Sequence, residues 1–204
     1  KLADLVFPPR RDEFLVRAAA PAALSRLVSP ELIATTRPST TALCSFSDDL
    51  VRTLVREAKY HGSARAQELL GGILADYLLE LGTDTYEKTV IVPVPLSPAR
   101  RRERGYNQCE EVARRALARY PELPLTIDAD ALRRVRNTEH QTRLSRSARA
   151  ANVAGAFEAL RPLDAHTTYI VFDDVITTGA TLQAAARALR SAGAKRILPI
   201  ALAR

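Results

Sequence analysis

The chain of 204 residues is 47% hydrophobic and 26% charged, a balance that is ordinary for a folded protein and excludes a disordered, collagen-like or coiled-coil chain. Its 30 basic residues against 23 acidic ones give a net charge of +7, and arginine in particular suits anionic partners. No apolar run reaches the roughly 18 residues of a membrane helix, and no secretion signal is visible. A cytoplasmic protein without membrane insertion is therefore expected.

The first 47 residues are mixed in character. The polar run 34–41 predicts an exposed connection between elements. Proline, which breaks regular elements, recurs through this segment at Pro8, Pro9, Pro21, Pro30 and Pro38.

Two helices are predicted next. Apolar residues recur with helical spacing in the first, which spans 48–60 with Asp48 or Ser47 as its cap. Gly62 is suited to end this helix, since glycine readily adopts the left-handed conformation. The second helix is predicted over 64–81. The residues expected on the buried face of the first are Leu50, Val51, Leu54, Val55 and Ala58.

From residue 88 onward, strands alternate with helices, which predicts a parallel sheet with right-handed crossovers. A basic loop is predicted at 97–105 and a long polar loop at 137–150. The segment 153–157 is interpreted as the second arm of a hairpin. The predicted strands are 89–95, 132–135, 168–172 and 196–203, and the predicted helices are 107–120 and 179–192.

The strongest chemical signal is the segment 169–182, in which an apolar strand ends at Asp173 and Asp174. In an open α/β sheet, ligands bind at the carboxyl ends of the strands. The chain then turns into a helix whose first backbone N–H groups suit a phosphate. Hydroxyl donors are available from Thr177, Thr178 and Thr181, and Gly179 permits close backbone approach. The segment predicts a phosphorylated sugar as ligand.

Two carboxylates beside a phosphate cradle would repel that ligand unless they meet sugar hydroxyls or Mg²⁺. Asp173 and Asp174 are therefore expected to bind the hydroxyls, with Mg²⁺ held directly or indirectly. An ordinary strand-to-helix turn with an aspartate cap would explain one aspartate and one threonine, but not the whole string. The glycine-rich P-loop pattern is absent.

The segment 169–182 resembles, at every position, the phosphoribosyl pyrophosphate (PRPP) motif of type I phosphoribosyltransferases. Other stretches resemble the ComF-like branch of that family, over roughly residues 48–204. These stretches are Lys59-Tyr60-His61-Gly62, Val92-Pro93-Val94-Pro95-Leu96, Arg102-Glu103-Arg104-Gly105-Tyr106-Asn107-Gln108, Arg134-Val135-Arg136-Asn137-Thr138 and Gly155-Ala156-Phe157.

The resemblance implies a type I phosphoribosyltransferase fold, an α/β fold with a mostly parallel central sheet, flanking helices, a small hood and a helical N-terminal segment. Asp173 and Asp174 would then be the catalytic residues that hold the ribose hydroxyls. The implied 5-phosphate site is Thr177, Thr178, Gly179, Ala180 and Thr181, the implied pyrophosphate residues are Ser97, Arg100 and Arg101, and the implied flexible loop carries Arg143, Arg146 and Arg149.

The N-terminal segment departs from the ComF-like pattern. Members of that branch usually carry a four-cysteine zinc module after a Pro-Pro stretch, whereas Cys44 is the first cysteine here. We therefore expect a degenerate segment over 1–47, without structural zinc, before a phosphoribosyltransferase-like domain over 48–204. Cys44 and Cys109 are expected to be reduced packing residues, although the arginines near Cys109 would favour a lowered thiol pKa.

The resemblance implies binding of PRPP or a nucleoside monophosphate with Mg²⁺, and transfer of phosphoribose to a nitrogen nucleophile. A non-catalytic PRPP-binding regulator and a DNA-uptake accessory that binds single-stranded DNA or competence proteins remain open, as does a homo-oligomer. Only 5% of residues are aromatic, and the arginine clusters lack interleaved aromatics, so no base-stacking platform is predicted. No general base is identified, with His61 and His140 as weak candidates.

Overall fold

A computed structural model describes residues 10–82, 88–136 and 155–204. Its centre is a six-stranded sheet in the order β1-β2-β8-β7-β3-β4. Neighbouring strands are parallel except for the antiparallel pair β1 and β2. The strands are β1 (Val28–Ile33), β2 (Thr40–Cys44), β3 (Thr89–Pro93), β4 (Leu125–Ile127), β7 (Thr168–Val175) and β8 (Arg196–Ala203).

A second, two-stranded antiparallel sheet, β5 (Leu132–Arg134) with β6 (Phe157–Ala159), forms the small hood. The predicted fold class, a mostly parallel sheet flanked by helices, is confirmed. The helices in the described part of the chain are α1 (Arg11–Ala18), α2 (Pro21–Ser25), α3 (Asp49–Tyr60), α4 (Ala64–Leu81), α5 (Pro98–Arg104), α6 (Gln108–Arg119) and α7 (Ala180–Ser191).

Strand β7 is central because it is apolar on both faces, as expected for a buried parallel strand. Ile170 and Phe172 face a core shared with α1, α3, α4 and α6. Tyr169 and Val171 face a second core, shared with α7 and the hood. Helices therefore cover both faces of the sheet, and the carboxyl end of β7 remains as the opening between them.

The two predicted helices before the sheet are confirmed. Asp48 caps α3 by accepting hydrogen bonds from the amides of Leu50 and Val51 at 2.9 and 3.1 Å. Helix α4 ends at Gly82, as its sequence predicts. No helix among the described residues is long and apolar enough to cross a membrane.

Three local predictions are wrong. The segment predicted as a basic loop at 97–105 forms helix α5, because Ser97 caps it and Pro98 suits its first turn. The run 34–41 is not an exposed connection throughout, since Thr36 and Thr40 are buried. The predicted second arm of the hairpin is present as β6, but it begins only at Phe157, so the predicted bounds 153–157 are wrong.

Three strands of the sheet, β1, β2 and β4, had no counterpart in the sequence predictions. β4 has only three residues and pairs with the edge of β3. β2 pairs in parallel with β8, so the sheet continues across the expected boundary between residues 47 and 48.

Candidate functional site

A cavity of about 880 Å³ opens at the carboxyl ends of β3 and β7. Its walls come from the end of α3, the chain after β3, helix α5 and the hood. The lining includes Lys59, Tyr60, His61, Arg100, Arg104, Gln108, Arg134, Asp173, Asp174, Thr177 and Thr181. The topology therefore gathers residues that lie more than a hundred positions apart in the sequence.

The two predicted carboxylates lie side by side at the end of β7. Asp174 is buried, and its Oδ2 accepts a hydrogen bond from Gln108 Nε2 at 2.9 Å and lies 3.1 Å from Lys59 Nζ. Asp173 Oδ1 accepts from the amide of Asp174 at 2.9 Å, and Cys109 Sγ lies 3.8 Å from it. The protein thus contacts both oxygens of Asp174 but leaves acceptor capacity on Oδ1, whereas Asp173 is less constrained.

Burial and the neighbouring charges separate the two carboxyl groups. Burial raises the pKa of Asp173, and the negative charge of Asp174 raises it further. Burial would also raise the pKa of Asp174, but the Lys59 ammonium and the Gln108 hydrogen bond lower it below its usual value. The pair therefore favours one ionised and one protonated carboxyl over a wide pH range.

The turn after β7 leads into the N-terminus of α7, a helix of 12 residues. Gly179 stands at its N-cap with a φ of 77° and has no side chain to cap the helix. Any Cβ at Gly179 would lie 2.3 Å from Thr36 Cγ2, which belongs to the connection between β1 and β2. Thr177 and Thr181 line the cavity, so hydroxyl groups and the positive end of the helix face the same space.

Four arginines line the cavity, Arg56, Arg100, Arg104 and Arg134, and the charges of Arg100 and Arg134 act on each other. Arg100 comes from α5 and Arg134 from β5 in the hood. Arg134 is buried with its guanidinium 5.4 Å from the centre of the Phe157 ring. Burial lowers the pKa of Arg134, and the nearby charge of Arg100 adds to that effect. An anion bound between Arg100 and Arg134 would counteract both effects and raise the pKa of Arg134 again.

Three curated proteins are similar to this chain. Competence protein F of Haemophilus influenzae is 34% identical over 116 residues, which make up 56% of this chain and 49% of that protein. Competence protein ComFC of Bacillus subtilis is 29% identical over 153 residues, 72% of this chain and 56% of that protein. DNA utilization protein YhgH of Escherichia coli K12 is 36% identical over 107 residues, 52% of this chain and 45% of that protein.

These similarities support the assignment of this chain to the ComF-like family. No family model matches the chain. The chain spans about half the length of the curated relatives it matches.

The remaining predicted site residues do not all lie at the cavity. Ser97 is buried, and its Oγ accepts the amide of Arg100 at 3.4 Å as the cap of α5. Arg101 does not line the cavity and pairs with Glu110 at 3.4 Å. The loop arginines Arg143, Arg146 and Arg149, and His140, lie outside the described residues.

Sequence reasoning gave no role at the site to Lys59, Gln108, Arg134 or Cys109, all of which lie at the carboxylates or the cavity. The first three fall in stretches that resemble the ComF-like branch, and this was the available signal. Cys109 is a free, buried thiol, which agrees with the expected packing role, whereas the alternative of a lowered pKa is contradicted. Burial raises the pKa of the Cys109 thiol well above its usual value, and Asp174 and Asp173 raise it further.

The donor set at the carboxylates does not form a complete metal site. Among the described residues, no group of three or more histidine, cysteine, aspartate or glutamate side chains could hold an ion. Asp174 already accepts hydrogen bonds at both oxygens, one of them from the amide of Val175 at 2.7 Å. The described side chains therefore do not fit Mg²⁺ without ligands from another molecule.

Proposed function

We propose that this chain binds PRPP or a nucleoside 5′-monophosphate in the cavity at the end of β7, and that it transfers phosphoribose to a nitrogen nucleophile. The observation that carries the proposal is the meeting of four features in one cavity. They are a carboxylate pair, a helix N-terminus whose N-cap residue has no side chain, hydroxyl side chains and arginines. Each matches one part of PRPP.

The phosphate is bound where a helix begins. The 5-phosphate lies in the turn from Thr177 to Thr181, where backbone N–H groups and hydroxyls donate to its oxygens. Asp173 and Asp174 bind the ribose hydroxyls, which need acceptors. The protonated form that burial favours at Asp173 also lets this side chain donate one hydrogen bond.

The diphosphate lies toward Arg100 and Arg134, where positive charge is concentrated. In the reaction, the nitrogen forms a bond to C1 of the ribose as the bond from C1 to the pyrophosphate oxygen breaks. The electron pair leaves with pyrophosphate, so the arginines stabilise charge that grows during the step. Mg²⁺, when carried by the diphosphate, neutralises part of the same charge.

The test is calorimetric titration of PRPP and Mg²⁺ into the full chain and into the double variant Asp173→Asn, Asp174→Asn. Replacing one carboxyl oxygen by an amide group in each side chain, and removing the negative charge of Asp174, is expected to weaken binding by roughly 3 kcal/mol, about a hundredfold in Kd. Asp130→Asn is the matched control, since Asp130 is exposed and does not line the cavity. Equal PRPP affinity in the double variant and the control would contradict the assignment. A screen of nucleobases for pyrophosphate release then tests for transfer.

A second candidate function is a cytoplasmic accessory to DNA uptake that binds single-stranded DNA. The names of the relatives, two competence proteins and a DNA utilization protein, support it, as does the net charge of +7. Binding through phosphates releases counterions, so affinity for an oligonucleotide should fall steeply with salt. Binding of PRPP and of DNA by the same chain would be compatible. Failure of both titrations would remove both functions.

A further inference from the structure

One aromatic side chain at the cavity is conspicuously exposed. Tyr60 ends helix α3, lines the cavity and is 63% exposed. Burying a tyrosine ring is favourable, and exposing one at the rim of a polar cavity gains nothing for folding. The position therefore suits a partner that covers the ring.

Two cationic side chains lie close to the Tyr60 ring. The Arg104 guanidinium carbon lies 5.3 Å from the centre of the Tyr60 ring, and Lys59 Nζ lies 6.0 Å from it. A guanidinium and a phenol ring are both planar groups on which a nucleobase stacks well. Arg104 belongs to the basic cluster for which the sequence predicted no stacking partner.

The exposed ring is connected to the carboxylates by a chain of contacts. Arg104 Nη1 donates to Gln108 Oε1 at 2.9 Å, and Gln108 Nε2 donates to Asp174 Oδ2 at 2.9 Å. The amide of Gln108 thus fixes Arg104, and with it the ring, relative to the carboxylates. Tyr60 and Asp174 line one and the same cavity.

Hydrogen bonds from a second tyrosine also anchor the end of α3. Tyr106 Oη donates to the carbonyl oxygens of Ala58 and Lys59, at 2.8 and 3.1 Å. Gly62 follows with a φ of 59°, and a Cβ there would lie 3.4 Å from the Tyr106 ring. The backbone that carries Tyr60 is therefore anchored while its side chain remains open.

We propose that Tyr60, backed by Arg104, is a stacking platform for a nucleobase at the mouth of the cavity. The ligand class is a planar nitrogen heterocycle, supplied either by a free base or nucleotide or by a base of single-stranded nucleic acid. For a free base, the inference rests on the proposed function, because the platform then presents the acceptor nitrogen near the ribose carbon. For single-stranded nucleic acid, it stands without transfer chemistry.

The test uses an adenine analogue whose fluorescence is quenched on stacking, in two forms. One is its ribonucleoside 5′-monophosphate, and the other is a short single-stranded oligonucleotide that contains it. Tyr60→Ala should weaken binding of at least one form roughly tenfold and abolish the quenching. Tyr60→Phe keeps the ring and should remain within about twofold of the wild type.

Phe14→Ala is the matched control. Phe14 is 62% exposed on α1, does not line the cavity, and should leave binding unchanged. Because PRPP has no base, Tyr60→Ala should also leave PRPP binding unchanged. The form that responds to Tyr60→Ala identifies the source of the base. If Tyr60→Ala binds both forms as the wild type does, the platform is overturned. If the wild type fails to bind PRPP, the proposed function fails, while the fluorescence result still decides the platform.

Discussion

A lysine–aspartate ion pair lies at each end of strand β7, and the two pairs differ in their exposure to water. Before the strand, Lys88 pairs with Asp164, and these side chains are 63% and 36% exposed. After it, Lys59 pairs with Asp174 at 3.1 Å, with side chains 24% and 10% exposed. Water screens the first pair, so it contributes little to stability. The pair of Lys59 and Asp174 places charge at the cavity, where it affects the pKa of Asp173 and the binding of any ligand.

Two glycines at opposite ends of the sheet differ in whether their turns face the cavity. At the amino end of the sheet, Gly193 has a φ of 113° and a Cβ there would lie 2.7 Å from the Leu163 carbonyl oxygen. At the carboxyl end, Gly179 has a φ of 77° and the close neighbour is Thr36 Cγ2. Both glycines permit tight turns, but only the second lies in a turn that faces the cavity.

Gly179→Ala should have the largest effect on stability. The new Cβ would occupy the space of Thr36 Cγ2 in a conformation that L-residues rarely adopt, which should cost about 3 kcal/mol in the free energy of unfolding. Urea denaturation measures this change.

Thr36→Ser provides the control for Gly179→Ala, since it removes Cγ2 and keeps the hydroxyl that bonds to the Ile33 carbonyl oxygen. Adding it to Gly179→Ala should recover part of the lost stability. Purely additive effects of the two changes would contradict the predicted clash. Gly193→Ala should also destabilise the chain, but without the PRPP-binding loss expected of Gly179→Ala.

Lys59→Met should have a smaller effect, about 2 kcal/mol, because it leaves the buried Asp174 without its cation. Lys88→Met is the matched control at the other end of β7, where no measurable change in the urea midpoint is expected. Equal effects of the two changes would show that burial does not distinguish the two ion pairs.

Asp173→Asn should change how stability depends on pH. Burial and Asp174 raise the pKa of Asp173 in the folded state, so the native chain binds more protons than the unfolded chain above the ordinary aspartate pKa of about 4. That contribution to stability is present below the ordinary pKa and is lost as pH rises toward the raised one. Asp173→Asn removes this loss, so in urea denaturation its stability should fall less between acid and neutral pH than that of the wild type.

Asp164→Asn is the control for this pH dependence. Hydrogen bonds from Lys88, His166 and Thr167 lower the pKa of Asp164, so its contribution is present above the ordinary aspartate pKa and is lost only as pH falls below it. The change should therefore leave the slope between acid and neutral pH intact. A slope that Asp173→Asn does not alter would mean that this carboxyl group ionises normally.

Sequence patterns predicted the structure best where one continuous stretch corresponds to one strand or helix. The strand β7, its two aspartates and helix α7 follow from one continuous segment, and the caps of α3 and α4 follow from single residues. The short helix α5 was missed because its residues are almost all charged and show no apolar period. The three-residue strands β4 and β6 are too short to give a periodic signal, and pairing with a neighbour defines them.

The sequence by itself determined the fold class and the segment that begins the candidate site, because apolar periodicity and turn residues act over a few neighbouring positions. It did not determine what surrounds the carboxylates. Lys59, Gln108 and Arg134 reach the end of β7 only when α3, α6 and the hood pack around the sheet. Charge, burial and pKa depend on distances between atoms remote in sequence, and only the tertiary structure fixes those distances.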